Sequence, residues 1–151
     1  MEAFPTSELL CKSPEDTEVL GRRIAGFLTA GSVLALYGGL GSGKTCLARG
    51  VARGLGVAEA VTSPTYTIVG EYLATVGGRE LPLYHIDAYR LRDEDDFEEI
   101  GAGELLGGEG IAIVEWSERV PGLIPEDAIR VSLEPAGERG RLVRVSGPAL
   151  L

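Results

Sequence analysis

The chain has 151 residues, a net charge of −9 and a hydrophobic share of 44%, which fits a single domain over residues 1–151 with a sizeable core. It has no run of about 18 apolar residues, and its start has no basic region followed by an apolar stretch, so we expect no membrane span, no signal peptide and a cytoplasmic location. Acidic side chains number 23 and basic ones 14, which argues against stable nucleic-acid binding by this chain alone.

The first predicted elements are a short edge strand and a capped helix. The segment FPTSELLCKS predicts the strand. Ser13 then suits the N-cap of a helix, Pro14 its first position and Asp16 a capping interaction. Apolar residues recur at helical spacing until Gly31, where the helix is expected to end.

A buried strand and a second helix follow, separated by glycines. VLALY (33–37) is short and wholly apolar, as expected for a strand covered on both faces. Four of the next six residues are glycines, and an apolar helical pattern resumes after them and runs to about Leu55. Because glycine is costly to order on folding, the cluster indicates that something approaches the backbone closely.

The middle of the chain predicts a β-hairpin. Residues 61–75 contain a Ser-Pro-Thr turn and then a β-rich run, and VGGRE is typical of a tight turn. LPLYHIDAYRL (81–91) predicts a second strand. This strand is expected to be antiparallel to the previous one because the connection is so short.

A surface helix, another buried strand and a terminal hairpin are predicted next. Residues 92–106 are acidic with scattered apolar positions, which favours the helix. IAIVEW (111–116) predicts the strand, and IRVSLEP and RLVRVSG around AGERG predict the C-terminal hairpin. Helices alternating with buried strands predict an α/β fold with a mixed, mostly parallel central sheet flanked by helices.

The glycine cluster matches a phosphate-binding sequence. Residues 38–45 read GGLGSGKT, the pattern G-x-x-x-x-G-K-[ST], between a strand and a helix as that pattern requires. Glycines let successive backbone amides curl around a phosphate, and a helix N-terminus adds unpaired amides and its dipole. The lysine would reach the β- and γ-phosphates, and the threonine hydroxyl would hold Mg²⁺. The sequence thus predicts a P-loop NTPase with the nucleotide contacts Gly38, Leu40, Gly41, Ser42, Gly43, Lys44 and Thr45.

Two acids at predicted strand ends are candidates for a second Mg²⁺ ligand. Asp87 ends LYHID and Glu115 ends IAIVE, and P-loop proteins usually carry such an acid beside the loop. A carboxylate buried unpaired after four apolar residues is costly, and a cation would offset that cost. The alternative for each acid is a solvated strand end or a salt bridge with an arginine. His85, on the same strand face as Asp87, is expected to be a hydrogen-bonded structural residue rather than a base.

Thr65 and Trp116 are two further candidates for the nucleotide site. Thr65 lies in the Ser-Pro-Thr turn, where P-loop switch proteins place a hydroxyl near the γ-phosphate and metal, or it belongs to a plain turn. Trp116 would face away from Glu115 in an ideal strand, so core packing is its first interpretation.

Several kinds of P-loop protein fit these observations to different degrees. No guanine-reading N-K-x-D-like segment is present, which disfavours a GTPase. The segment around Arg90 is too acidic for a lid that clamps phosphates, which disfavours a small-molecule kinase. A nucleotide-controlled binding module with slow hydrolysis fits the short chain.

The ordered motifs resemble the bacterial TsaE (YjeE) family over about residues 13–124. The P-loop alone is generic, whereas the whole set at these separations is highly specific. The matching segments are GGLGSGKT (38–45), TSPTYTIV (62–69), YHIDAYRL (84–91), FEEIG (97–101) and IVEWSE (113–118).

The resemblance implies a cytoplasmic ATPase component of tRNA threonylcarbamoyladenosine synthesis that binds ATP with Mg²⁺. Its partners would be TsaB and TsaD, of which TsaD performs the transfer, so this chain would meet tRNA only indirectly. ATP turnover would reset the complex between rounds. Carried over by position, Thr45 and Glu115 would form the Mg²⁺ site and Asp87 would act in hydrolysis. Trp116 would lie near the nucleotide, and Ser13 would border the base.

Hydrolysis would depend on positioning and charge neutralisation by Lys44, Mg²⁺ and the loop amides. Asp87 or Glu115 would orient the attacking water, and both are also candidate Mg²⁺ ligands. Arg90 is the nearest candidate for an arginine finger, and an arginine from a partner is an equal alternative. We therefore expect feeble ATPase activity alone and stimulation by TsaB–TsaD. The alternative function is a small P-loop phosphotransferase acting on a metabolite.

The chain departs from the family pattern at two loop positions. The second position is commonly acidic and here is Gly39, and the position after Thr45 is commonly threonine and here is Cys46. Neither change removes a phosphate donor or the metal hydroxyl. The acidic helix after Arg92 would face a basic surface on a partner or keep the protein soluble.

Overall fold

One mixed β-sheet organises the fold in the computed structural model, which describes residues 6–39, 41–61, 69–89 and 91–147. The strands are β1 (Thr6–Cys11), β2 (Val33–Tyr37), β3 (Val69–Val76), β4 (Arg79–Asp87), β5 (Ile111–Glu115), β6 (Ile129–Ala136) and β7 (Gly140–Ser146). The α-helices are α1 (Pro14–Ala25), α2 (Lys44–Gly54) and α3 (Glu94–Glu99). Short 3₁₀ turns lie at Ala102–Leu105, Ser117–Arg119 and Pro121–Leu123.

The seven strands are ordered β1-β7-β6-β2-β5-β4-β3. The four central strands β6, β2, β5 and β4 run parallel, and the outer pairs β1–β7, β7–β6 and β4–β3 are antiparallel. The predicted α/β fold, mixed sheet and C-terminal hairpin are confirmed. The parallel pairs lie at the centre of the sheet, and the three antiparallel pairs lie toward its edges.

Each face of the sheet carries its own hydrophobic cluster. Helices α1 and α2 cover one face, where they pack on Leu34, Leu36 and Ile113. The other face is covered by α3 and the turns after β5, around Phe97 and Val114. Both faces of β2 and β5 are therefore buried, which explains their continuous apolar sequences.

The start of α1 follows the predicted cap with one difference. The Ser13 hydroxyl accepts a hydrogen bond from the backbone amide of Asp16, as an N-cap should. The Asp16 carboxylate reaches back to the amide of Lys12 instead of the amide of the N-cap residue. The first turn is thus capped by two hydrogen bonds. The side chain of Asp16 reaches one residue further back than in a capping box, to Lys12 and not to Ser13.

Four predicted elements have different bounds in the structure. Helix α1 was expected to end at Gly31 and ends at Ala25, with Gly26 as its C-cap. The helix expected over 92–106 is the short α3, followed by a 3₁₀ turn, because glycines interrupt it. The strand expected over 111–116 ends at Glu115, and Trp116 takes a left-handed backbone conformation. The strand expected over 81–91 starts at Arg79 and ends at Asp87. The Ser-Pro-Thr turn lies outside the described residues.

Candidate nucleotide site

The carboxyl ends of β2, β5 and β4 meet at one edge of the sheet. Strand β2 leads into the loop at residues 38–43, and α2 begins at Lys44. Asp87 and Glu115 are register partners at the ends of the two neighbouring strands, so their side chains point to the same face. Open α/β sheets bind their ligands at this edge.

The loop backbone has a shape that only glycine adopts without strain at its two ends. Gly38 has φ 148° and Gly43 has φ 100°, both in regions that disfavour other residues. A Cβ atom on Gly38 would also lie 2.6 Å from the Leu133 carbonyl oxygen and from the Ser42 hydroxyl. Because Gly43 is the N-cap of α2, no side chain caps the first-turn amides of that helix.

Lys44 is buried although it carries a charge, with a relative exposure of 6%. Its ammonium donates hydrogen bonds to the carbonyl oxygens of Gly38 and Gly39 and lies 3.6 Å from the centre of the Trp116 ring. Burial lowers the pKa of Lys44, while the carboxylate of Glu115 acts in the opposite direction. The ammonium is therefore held among groups that an incoming anion can replace.

The acids flank the lysine in different environments. Glu115 is 3% exposed, and its Oε2 contacts Nε2 of His85, which is fully buried. Asp87 is half-buried, and its Oδ1 accepts a hydrogen bond of 3.0 Å from the amide of Tyr89. The expectation that His85 is a hydrogen-bonded structural residue agrees with this geometry.

The donor set fits Mg²⁺ bound together with a nucleotide. Asp87, Glu115 and Thr45 line one cavity, and Mg²⁺ prefers one or two carboxylates with substrate phosphates and water. Within residues 6–39, 41–61, 69–89 and 91–147, no group of three or more His, Cys, Asp and Glu side chains is arranged around a metal. The Ser42 hydroxyl is buried and has no hydrogen-bond partner among the described residues, which leaves it available to a ligand.

Aromatic rings form the wall of the site above β5. The rings of Tyr89 and Trp116 are 4.8 Å apart, and the guanidinium of Arg119 lies 5.1 Å from the centre of the Tyr89 ring. Trp116 has φ 60° and is the one non-glycine residue with positive φ in the described part of the chain. Strain of this kind clusters at ligand sites. It turns the Trp116 ring toward the loop, so the strand alternation predicted for Trp116 does not apply.

A cavity of about 480 Å³ lies over the loop. Helix α1, the loop, the aromatic wall and the turn between β6 and β7 form its sides. Its lining residues are Pro14, Thr17, Gly39, Gly41, Ser42, Gly43, Lys44, Thr45, Cys46, Asp87, Tyr89, Glu115, Trp116, Arg139 and Arg141.

Most predicted site residues meet in this cavity, with four exceptions. Gly38, the first residue of the loop, does not line the cavity, and its amide donates to a carboxylate oxygen of Glu118 at 3.2 Å. Ser13 caps α1, and its neighbours line the cavity in its place. Leu40 and Thr65 lie outside the described residues.

The two departures from the family pattern are tolerated by the surrounding structure. Gly39 has open space where a Cβ would stand, so nothing in the described structure requires glycine there. The Cys46 thiol lies 3.1 Å from the carbonyl oxygen of Pro14, and burial raises its pKa. Cys46 is therefore a weakly reactive thiol that fills the place of the usual threonine.

Sequence reasoning missed the two arginines of the C-terminal hairpin. Arg139 and Arg141 both line the cavity, but their distance from the loop along the sequence gave no sign of it. The available signal was strand alternation, since Arg141 shares a strand face with the buried Val143 and Val145. Strand alternation alone does not show which face of the sheet this is. Only the strand order shows that Arg141 lies on the sheet face that α2 covers.

The strand, glycine loop, lysine and helix, with two carboxylates on adjacent strands, define a P-loop nucleotide-binding protein. The family model "Threonylcarbamoyl adenosine biosynthesis protein TsaE" matches residues 11–143. The chain belongs to the TsaE family.

Curated relatives agree with this assignment over most of their length. The protein "tRNA threonylcarbamoyladenosine biosynthesis protein TsaE" of Treponema pallidum (strain Nichols) is 42% identical over 135 residues, which are 89% of this chain and 96% of the relative. The protein of the same name from Bacillus subtilis (strain 168) is 40% identical over 85% of this chain and 78% of its own. The crystal structure of Bacillus subtilis YdiB superposes with a TM-score of 0.77 at 31% identity, covering 97% of this chain and 88% of that one.

Among the described residues, no helix has the length and apolar character needed to cross a membrane. The longest helix is α1, with 12 residues.

Proposed function

We propose that this chain is the ATP-hydrolysing subunit of the machinery that forms threonylcarbamoyladenosine in tRNA. It acts as one unit over residues 1–151, in the cytoplasm, together with TsaB and TsaD. Hydrolysis resets that complex between turnovers, and the chain meets tRNA only through its partners. The names of the TsaE relatives support the pathway, and the P-loop supports the nucleotide.

The observation that carries the proposal is the position of Lys44. Its ammonium is buried against the loop carbonyls of Gly38 and Gly39 while it faces a cavity that also holds two carboxylates. A triphosphate tail would offer this ammonium better acceptors than neutral carbonyls, because phosphate oxygens carry negative charge and attract the buried ammonium by Coulomb interaction. Lys44 then exchanges the loop carbonyls for phosphate oxygens, and the loop amides bind the same anion.

The carboxylates divide the remaining work between them. Glu115 is buried and held by His85, so it is a fixed ligand that, with the Thr45 hydroxyl, would hold Mg²⁺. Asp87 is bonded to a single backbone amide and lies half-buried at the cavity edge, so it is the residue placed to orient a water molecule. Mg²⁺ supplies neutralisation of charge on the β- and γ-phosphates when it is bound.

The arginines that line the cavity among the described residues support weak hydrolysis by the isolated chain, because each already has a partner. Arg90 lies outside the described residues, Arg141 is engaged with loop carbonyls, and Arg139 pairs with Glu15 at 3.5 Å. An arginine finger raises the rate of phosphoryl transfer by about 10³–10⁵-fold. We infer that the TsaB–TsaD pair supplies such a cation or positions one of this chain, for which Arg90 remains the candidate.

The test is an ATPase assay with γ-labelled ATP, with and without TsaB–TsaD. We expect slow phosphate release by the chain alone, stimulation by the pair, and loss of both in Lys44→Ala. Lys12→Ala is the matched control, because Lys12 is the one other lysine of the chain and is exposed. It should retain wild-type rates.

Two results would count against the proposal. Full-speed turnover by the isolated chain would remove the need for partners. Transfer of the label to a metabolite would favour the phosphotransferase alternative.

A further inference from the structure

Arg141 reaches the phosphate loop from the opposite end of the chain. Strand β6 runs parallel to β2, so it ends at the edge where the loop begins, and β7 starts at that same edge because it is antiparallel to β6. Arg141 is the second residue of β7. Its guanidinium donates to the carbonyl oxygens of Gly41 at 2.7 Å and Ser42 at 2.8 Å. A third bond of 2.7 Å goes to the carbonyl of Gly140, next to it on the hairpin.

The loop carbonyls are shared between two cations. Lys44 holds those of Gly38 and Gly39, and Arg141 holds those of Gly41 and Ser42. Lys44 is the ligand-binding cation and must release its carbonyls when phosphate arrives. The guanidinium of Arg141 is already satisfied by backbone oxygens on both sides, so its contact with the loop persists.

The chemistry of arginine suits this role. Its planar fork offers several N–H donors in fixed directions, so one side chain can bind two successive carbonyls and fix their orientation. Because each peptide unit is planar, holding the carbonyls of Gly41 and Ser42 also fixes the directions of the Ser42 and Gly43 amides, and the Ser42 amide donates to the Gly39 carbonyl at 3.2 Å. The positive charge of Arg141, which also lines the cavity, favours an anion there.

We propose that Arg141 is the positioning residue of the phosphate loop, which it holds from the C-terminal hairpin in the conformation that binds the nucleotide. This inference rests on the proposed function, since it assigns a support to that same site. Without Arg141 the loop has to be ordered by the nucleotide itself. The cost of ordering the loop weakens nucleotide binding and leaves kcat unchanged, because the ground state and the transition state lose the same amount of binding free energy.

A neighbouring arginine serves as a contrast. Arg139 lines the same cavity, but its partner Glu15 is at 3.5 Å and both side chains are largely exposed. Exposed pairs of this kind contribute little. Arg144, further along β7, bonds to Glu8 and Glu134 on the sheet surface and does not line the cavity. It is therefore the matched control for loss of an arginine from this strand.

The experiment measures MgADP binding by calorimetry and steady-state ATP hydrolysis for wild type, Arg141→Ala, Arg141→Lys and Arg144→Ala. For Arg141→Ala we expect a dissociation constant raised by about 10-fold or more, the effect of losing hydrogen bonds from a charged donor. Binding sites per chain should stay at the wild-type number. KM should rise with kcat within about twofold of wild type. Arg141→Lys should recover part of the affinity, and Arg144→Ala should bind as wild type does.

Two results for Arg141→Ala would overturn the inference. Affinity of Arg141→Ala within about twofold of wild type would overturn the inference, since no support would have been lost. Fewer sites per chain with unchanged affinity of the rest would also overturn it, because that pattern belongs to a residue needed only for folding. If Arg141→Ala yields no folded protein, the same criteria apply to Arg141→Lys. Failure of the wild type to bind MgADP would instead refute the proposed function.

Discussion

The buried contact between His85 and Glu115 is the residue-scale feature that most constrains the site. Both side chains are almost completely buried, and Nε2 of His85 contacts Oε2 of Glu115. The other ring nitrogen has no hydrogen-bond partner among the described residues. Since a carboxylate oxygen can only accept, Nε2 is the donor of this contact, and the histidine fixes the direction of a carboxylate at the cavity.

Replacing His85 tests this contact. His85→Ala removes the donor from a buried carboxylate, so we expect the free energy of unfolding to fall by about 3 kcal/mol. His85→Gln places an amide N–H near the position of Nε2 and should recover part of that loss. Urea unfolding of both variants is the measurement. Equal stability of the two variants would mean that the hydrogen bond is not what stabilises the acid.

The same residues show how far the sequence predicts the site. Lys44, Thr45 and the loop glycines could be placed from the sequence because their spacing is local and each has one chemical role. Asp87 and Glu115 could be named as candidates, but their adjacency depends on β4 and β5 being neighbours. The direction of the Trp116 side chain was predicted wrongly. Trp116 has a left-handed backbone conformation directly after β5, and the hydrophobic pattern of the sequence does not reveal such a conformation.

At the scale of elements, the close packing of α1 against α2 positions the start of the nucleotide helix. Glycines stand where the two helices cross, and a Cβ on Gly50 would clash with the carbonyl of Glu18, as one on Gly21 would with the carbonyl of Leu47. Arg53 also pairs with Glu18 across the helices at 2.9 Å. A larger residue at the crossing has to move α2, which carries Lys44 at its first position.

Gly50→Ala should therefore be destabilising although alanine favours helices. We expect a loss of about 2–3 kcal/mol from overpacking, against a gain of up to about 1 kcal/mol from helix propensity. Gly103→Ala is the control, because a Cβ there would meet nothing closer than 3.8 Å. Thermal or urea unfolding of the two variants is the comparison, and an increase in stability for Gly50→Ala would refute the close crossing.

Elements were predicted well where the apolar pattern was continuous. The buried strands β2 and β5 follow from short apolar runs, and the turn at Gly77–Gly78 marks the β3–β4 hairpin. Helix α3 was predicted too long, since only Phe97 anchors it by full burial among its residues and its other side chains are acidic or polar. The mixture of parallel and antiparallel pairs could not be predicted in full, because the contact of β1 with β7 joins segments more than a hundred residues apart.

At the scale of the whole molecule, the net charge of −9 disfavours direct binding of RNA by this chain. Affinity for nucleic acids depends largely on lysines and arginines that neutralise phosphates. Some of the basic side chains here already form hydrogen bonds within the protein: Arg141 bonds to the Ser42 carbonyl and Arg144 to Glu8. We infer that tRNA is held by the partners.

The expected result is no saturable binding of tRNA to the isolated chain at about 0.15 M salt and at protein concentrations up to about 10 µM, which lies within the usual range of non-specific dissociation constants, about 10⁻⁴–10⁻⁶ M. Fluorescence anisotropy of labelled tRNA is the measurement, and the same titration with TsaB–TsaD added is the positive control. Micromolar binding by the chain alone that weakens with salt would show a basic surface that the net charge conceals.

The pairing of β1 with β7 has a consequence for the connectivity of the chain. Thr6 lies opposite Ser146 in the antiparallel register, so the beginning of β1 lies beside the end of β7. A short linker between these ends, with the chain opened at Gly77–Gly78, would give a circular permutant whose strand order is unchanged. The cut lies in the β3–β4 turn at one edge of the sheet, and β5 and β4 separate β3 from the strand β2 that leads into the phosphate loop. The permutant should fold and bind MgADP with the affinity of the natural order, and calorimetry would reveal a permutant that does not.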